Sequence, residues 1–332
     1  MLAYTVRRIL IMIPTLLAIS VIVFLIIQLP PGDYLDIYIN EIISRGDSPD
    51  MAKIEWLRKE YGLDRPIYEQ YAIWVFGLLQ GDLGFSFEYE LPVSDVVGDR
   101  LWLSFLVAFT TIIFTYAMSF PIGIYSAVRQ YSIGDYAFSF LGFLGLATPN
   151  FLLALVLLYL ANVWFGTSIG GLMSEEYIGQ PWSWGKVVSV LEHLWVPVIV
   201  IGTSGTAGMI RRLRANLLDE LQRQYVVTGR AKGLTPGKLL IKYPLRMAIN
   251  PFIADIGSLL PQVVSGAAIV SIVLNLPTTG PMLVDALRSQ DMYLAGSFLM
   301  FLALLTVIGV FLSDLLLAVL DPRIRLEGGA TK

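Results

Sequence analysis

Cysteine is absent from the 332 residues and histidine occurs once, at His193. Disulfides, thiol nucleophiles and thiolate metal sites are therefore excluded, and one imidazole cannot build a metal centre alone. Charge is scarce too. Asp, Glu, Lys and Arg make up 15% of the chain against 56% hydrophobic residues, where a soluble domain carries about 25% charged residues. A soluble fold of this length would need a very large core to hide so much apolar surface, whereas a bilayer removes the need. The net charge of −3 gives no sign of a nucleic-acid partner. Nucleophile triads and clusters of metal-ligating side chains are missing, so no catalytic or metal-binding residue is assigned.

What is present is long apolar runs. A membrane helix needs roughly 20 mostly apolar residues, and six stretches qualify: 9–29, 102–128, 136–165, 194–213, 250–276 and 294–319. The fold class expected is an all-α membrane protein with six transmembrane helices. The N-terminal run exceeds the 7–15 residues of a signal-peptide core. It is followed by Pro30-Pro31-Gly32-Asp33 rather than by a small-residue cleavage site, and reads as an uncleaved first helix. Pro14, Pro121, Pro149, Pro197 and Pro261 fall inside the spans. Neighbouring helices or water can satisfy the carbonyls they free. A kink is the simple expectation for all five, with a hinge or cavity lining as the other role for Pro149 and Pro261.

Basic residues orient the spans. Arg7, Arg8, Arg129, the cluster from Arg211 to Arg246, and Arg323, Arg325 and Lys332 together hold 15 of the 23 lysines and arginines, and alternate crossings place all of them on one side. The 31–100 segment holds six basic against fourteen acidic residues. That asymmetry exports the segment and leaves both termini in the cytoplasm. The expected layout is a tail and first helix at 1–30, an extracytoplasmic cap at 31–100, a five-helix core at 101–325 with a cytoplasmic loop at about 214–248, and a tail at 326–332. Within the cap, 53–61 and 67–79 have helical patterns and Gly81-Asp82-Leu83-Gly84 reads as a turn. Trp164, Trp182, Trp184 and Trp195 flank a second outer segment at about 166–193. They fit headgroup-level anchors, with ligand stacking as the alternative.

The cytoplasmic loop carries the most information. Residues 214–228 are charged and amphipathic, Ala231-Lys232-Gly233-Leu234 breaks the pattern, and Thr235-Pro236 supplies an N-cap followed by a first-turn proline. The pattern predicts helix, tight turn, helix. Such a basic hairpin could lie on anionic lipid, connect two spans in solvent, or dock a cytoplasmic partner. Its Gly237-Lys238-Leu239 is no phosphate cradle. Lys232 stands at the first glycine position and Leu239 where Ser or Thr must hold magnesium.

Tyr225-Val-Val-Thr-Gly-Arg-Ala-Lys-Gly-Leu234 resembles the EAA loop of ABC importer permeases in its dipeptide/oligopeptide/nickel form, Tyr-x-x-Thr-Ala-Arg-Ala-Lys-Gly-Leu. The departure is Gly229 for alanine. Gly62-Leu-Asp-Arg-Pro66, Gln70-Tyr71, Gly81-Asp-Leu-Gly84, Ala147-Thr-Pro-Asn-Phe151 and Leu320-Asp-Pro-Arg-Ile-Arg325 resemble, in the same order, motifs of the B-type permease of that group. Nearly the whole chain is covered.

The resemblance implies a type I importer permease fold, N-in and C-in, in a prokaryotic inner membrane, with a large outer loop after the first helix. The chain would be a non-catalytic transport subunit paired with a second homologous permease. Two cytoplasmic ATPases carrying ATP and magnesium would dock on Thr228, Gly229, Arg230, Ala231, Lys232, Gly233, Leu234 and Thr235. An external solute-binding protein would deliver the cargo. This chain itself would bind no cofactor. Peptide is the cargo expected, with oligosaccharides or nickel chelates as alternatives. Asn150, Gln262, Ser265, Ser271 and Asn275 would either line the substrate path or hydrogen-bond between helices. The rival from another class is an ion-driven secondary transporter, which would use Asp255 and Asp314 at a midplane site.

Overall fold

The computed structural model describes residues 2–320 apart from 31, 33, 45, 47, 61, 166–169, 179, 254 and 256–267. The order is α1 (Leu2–Gln28), α2 (Tyr34–Ser44), α3 (Met51–Glu60), α4 (Ile67–Gln80), β1 (Phe85–Ser86), β2 (Leu91–Pro92), α5 (Val93–Val128), α6 (Ile133–Ala147) and α7 (Asn150–Phe165). A short 3-10 turn (Glu175–Tyr177) leads to α8 (Trp184–Leu221), α9 (Gln224–Ala231) and α10 (Pro236–Lys242). Then come α11 (244–253), α12 (Ala268–Val273), α13 (Thr279–Arg288) and α14 (Met292–Leu320).

Among the described residues α1, α5, α8 and α14 are each long and apolar enough to cross a membrane. The expected third span, 136–165, is two helices. Pro149 cannot donate its backbone nitrogen, and the residue before a proline is pushed to extended backbone. Thr148 accordingly sits at φ −84, ψ 119, and α6 and α7 meet at 98°. Pro149 therefore breaks the span, where the sequence suggested a kink. Pro14, Pro121 and Pro197 stay inside unbroken helices. Most of the expected 250–276 span, including Pro261, lies outside the described residues.

At 1.5 Å per residue the 38 residues of α8 run about 57 Å, well beyond a hydrocarbon core of about 30 Å. The helix was expected to span 194–213. It starts ten residues earlier, so Glu192 and His193 lie within it, Glu192 exposed and the His193 Nδ1 2.7 Å from the Ser189 carbonyl oxygen.

The chain divides into two compact units, residues 1–103 with 278–311 and residues 104–277 with 312–332. The first is centred on Phe24, Trp74 and Met292, with Val23, Ile27, Tyr71, Val75, Leu78 and Tyr293 around them. Its polar anchor is Asp291, fully buried. One carboxylate oxygen accepts from the Ser86 hydroxyl at 2.7 Å and the Glu88 amide at 3.2 Å, and the other from the Leu294 amide at 3.1 Å. Burial pushes the Asp291 carboxyl above its ordinary pKa even though these donors pull it down. Tyr34 donates to the Phe87 carbonyl at 2.9 Å and stacks on its ring. Burial, then the nearby Glu88, raises that phenol above its usual range.

Gly81-Asp82-Leu83-Gly84 is the expected turn, and it is fastened. Gly81 caps α4 in the left-handed region, the Asp82 carboxylate accepts from the Gly84 amide at 2.9 Å, and the Ser297 hydroxyl donates to the Leu83 carbonyl at 2.8 Å. Gly84 has φ +82, and a β-carbon there would lie 2.3 Å from the Tyr293 ring. Gly84→Ala should therefore loosen this segment. Left-handed backbone costs a non-glycine residue about 1–2 kcal/mol, and overpacking adds about 1–3 kcal/mol. Limited proteolysis of the 31–92 segment should accelerate, while Gly98→Ala, where a β-carbon meets nothing within 4 Å, should leave it unchanged.

The second unit packs Ala127, Met209, Leu213, Leu217, Ala248 and Phe252 together. Gly202 admits Phe114, whose ring atom would lie 2.6 Å from an added β-carbon. Among Gly202, Gly205 and Gly208 of α8, Gly202 permits the tightest packing. Gly205 has ordinary contact room, and Gly208 faces open space.

Candidate functional site

The α9–α10 hairpin follows α8 after a two-residue break at Gln222 and Arg223. Tyr225 fastens it to the helix it leaves: its hydroxyl donates to the Glu220 carboxylate and its ring lies 6.3 Å from that of Tyr243. Burial, and then this bond to Glu220, pushes the Tyr225 phenol up to about 12. Inside the hairpin Val226 and Leu239 are buried. Gly229 is buried too, and a β-carbon there would lie 2.5 Å from a Leu239 methyl. The one departure from the family pattern thus sits where α9 and α10 touch, and the atom that would have to move ends a flexible side chain.

The turn closes as helix C-termini commonly do. The Lys232 amide donates to the Thr228 carbonyl, Gly233 to Arg230 and Leu234 to Gly229, at 3.0, 2.9 and 3.2 Å. Gly233 has φ +79 with nothing within 4 Å of a β-carbon, so glycine is required here by the backbone. Thr235 takes the N-cap position with extended backbone, and Pro236 follows at the first turn. The Thr235 side chain, however, makes no capping bond. The Thr228 hydroxyl is engaged by the Gln224 carbonyl at 3.0 Å. Arg230, Ala231, Lys232, Gly233 and Thr235 are exposed and Leu234 half-buried. The exposed surface also offers Lys238, Lys242, Val227 and Ile241. The exposed surface is therefore a basic knob with apolar spots.

Two ion pairs underlie it. Arg214 on α8 grips Asp135 on α6 with both arms, Nε to Oδ1 at 2.9 Å and Nη2 to Oδ2 at 2.8 Å. The Asp135 side chain is 3% exposed and that of Arg214 25%. Asp135 also accepts from the Tyr131 amide at 2.9 Å, and its own amide is capped by Ser132. Arg212 meets Asp255 at 2.7 Å and lies over the Phe252 ring. Asp255 is thus paired with a cation, and Asp314 is half-buried beside Ser313, whose hydroxyl donates to the Ile253 carbonyl.

Of the residues expected along a substrate path, Asn150 donates to the Ser204 hydroxyl at 3.3 Å, joining α7 to α8. Ser271 is buried near the end of α12, and Asn275 turns the chain just after it with φ +52. No hydrogen bond joins Asn150 to either. Gln262 and Ser265 lie outside the described residues. Among the described residues no group of three or more His, Asp or Glu could hold a metal ion.

Comparison with known proteins decides the family. Residues 119–326 match the model for binding-protein-dependent transport system inner membrane components, and residues 1–108 match the N-terminal model for the membrane component of such systems. The chain belongs to this family. It is 34% identical to the oligopeptide transport system permease protein AppB of Bacillus subtilis (strain 168), over 98% of this chain and 99% of that one. It is 30% identical to the dipeptide transport system permease protein DppB of Escherichia coli (strain K12), with the same coverage. The glutathione transport system permease protein GsiC of Pectobacterium atrosepticum is also 30% identical over 98% of the chain. This is therefore a multi-pass inner-membrane permease subunit of an ABC importer, a non-catalytic transport component that works with ATPase and binding-protein partners.

The permease sequence also holds features that motif reading passes over. Asp135 and Arg214 lie 79 residues apart and Asp291 lies 205 from Ser86. The one available signal was a charged residue next to an apolar helix, where burial demands a partner.

Proposed function

We propose that this permease carries peptides, forming half of the translocation pathway beside a second homologous permease. Two ATPases grip the hairpins, the one here through residues 228–235. ATP and magnesium reside on those ATPases, and this chain binds no cofactor. The six-span layout with both termini in the cytoplasm, and the 31–100 cap toward the binding protein, follow from the charge asymmetry. The observation that carries the reading is the exposed basic hairpin, held rigid by the Gly229–Leu239 contact and the left-handed Gly233. Peptide as cargo rests on relatives named for oligopeptide and dipeptide transport.

The test is uptake into proteoliposomes holding the assembled transporter and its binding protein. Labelled di- and oligopeptides should accumulate with ATP inside, with no change when ion gradients are collapsed. Accumulation should stop when the ATPases are omitted. Accumulation of an oligosaccharide or a nickel chelate in place of peptides would overturn the cargo.

A further inference from the structure

We infer that α4 is a membrane-interface helix whose outward face, Ile73, Phe76 and Leu79, lies against lipid acyl chains at the C-terminal end of α1. The inference rests on α1 being a membrane span and is independent of the cargo.

The helix is too apolar for a solvent-facing loop. In Ile67–Gln80, Glu69 is the one charged residue. A helix apolar on every side is buried in protein or in lipid. One side of α4 is covered by its own unit: Tyr71, Trp74, Val75 and Leu78 pack with Phe24, Val23 and Ile27 of α1 and with Tyr293 of α14. The opposite side is bare, with Phe76 64% and Leu79 77% exposed and Ile73, 41% exposed, one turn before Phe76 on the same stripe. Fourteen residues reach about 21 Å, too short to span but compatible with an interfacial segment.

The contacts give the depth. The Gln28 amide donates to Gln70 at 3.1 Å, marking the polar end of α1. Trp74 lies 5.9 Å from the Phe24 ring and closely over Gly296. Phe24 and Gly296 are each four residues inside the ends of α1 and α14, about 6 Å in. Interfacial helices bury to about 5–10 Å. The Tyr71 hydroxyl, 2.8 Å from that of Ser20, goes deeper still along α1. Leu83 is still at the level of Ser297, and the path then returns, because Gly84 lies against Tyr293, one residue inside α14. So α4 crosses α1 obliquely instead of plunging through.

Lipid is the occupant because the bare stripe continues the exposed faces of α1 itself, where Val21, Ile22, Leu25 and Ile26 are exposed in a helix that must meet acyl chains. At the N-terminal end of α4 the exposed Tyr68 and Arg65 have the amphipathic and cationic character of headgroup-level anchors. A cavity of about 360 Å³ bordered by Ile73, Trp74, Phe85, Pro92 and Tyr293 runs beside the stripe and extends the apolar surface.

Because the chain has no cysteine, single probes are clean. Phe76→Cys and Leu79→Cys, each spin-labelled, are compared with Glu55→Cys on the exposed face of α3. Each is measured in nanodiscs, alone and in the assembled transporter. At positions 76 and 79 the ratio of oxygen to nickel-chelate accessibility should be several-fold above that at 55. Fluorophores on the same cysteines should be quenched more by lipids doxyl-labelled near the headgroup than near the chain end. High nickel-chelate access at 76 and 79 would overturn the inference in favour of a water-facing helix. Loss of both accessibilities on assembly would overturn it in favour of a protein partner.

Discussion

Reversing the charge of Arg230 and Lys232 together should reduce ATP-driven uptake to background while leaving the permease inserted and folded. Both side chains stand exposed on the basic hairpin, and neither supports its packing, which belongs to Val226, Gly229 and Leu239. If they meet acidic groups on the ATPase, each desolvated pair that is broken costs about 2–5 kcal/mol. Two together would lower affinity by three orders of magnitude or more, because each 1.4 kcal/mol is about tenfold. The readouts are co-purification of the ATPase in detergent, uptake in proteoliposomes, and circular dichroism to confirm the fold. Substituting Gly233 is a poorer test. Its φ of +79 means any side chain there strains the turn by about 1–2 kcal/mol, mixing a folding defect with a docking defect. Retention of the ATPase and of uptake by the doubly reversed variant would remove residues 228–235 from the docking surface.

The basic hairpin was also the element most legible in the sequence. Its turn and proline obey local rules: the chain cannot continue a helix through Lys232-Gly233, and Pro236 starts the next one without needing an amide bond. The two helices in the 31–92 segment over 51–60 and 67–80 were legible for the same reason. α2 and α13 were missed, being short and flanked by proline and glycine. The 98° break at Pro149 was half legible. A proline in an apolar run can bend a helix or end it, and the outcome is set by what α6 and α7 pack against, chiefly α8. The least legible parts were the long-range polar anchors. Nothing near Asp135 or Asp291 in the sequence names Arg214 or Ser86, since such pairings exist only once the helices have assembled. Asp255, open to reading as an ion-coupling carboxylate, proved to face Arg212 at 2.7 Å, as a structural partner.

The Asp135–Arg214 pair yields the second large effect. Removing one member of a buried pair strands the other charge and costs about 3–5 kcal/mol, so Asp135→Ala should lower the thermal midpoint of the detergent-solubilised permease by roughly 5–15 °C. The consequence should reach transport as well. Asp135 binds the turn between α5 and α6 through the Tyr131 amide, while Arg214 stands seven residues before the end of α8, the helix that leads into the basic hairpin. The bidentate contact therefore ties α8 to α6 near the root of the hairpin, where a role in transmitting its movement can be tested. An apolar replacement of both groups removes the stranded charge, so Asp135→Leu with Arg214→Met should recover most of the midpoint. If the pair only stabilises, uptake recovers in step with the midpoint. If it transmits motion, the double variant stays folded, retains its ATPase, and hydrolyses ATP without accumulating peptide. A cycle of the four variants separates the two, because an interaction energy of the same sign in midpoint and in uptake assigns the pair to stability alone. Uptake that stays low in a double variant of restored stability assigns it to coupling.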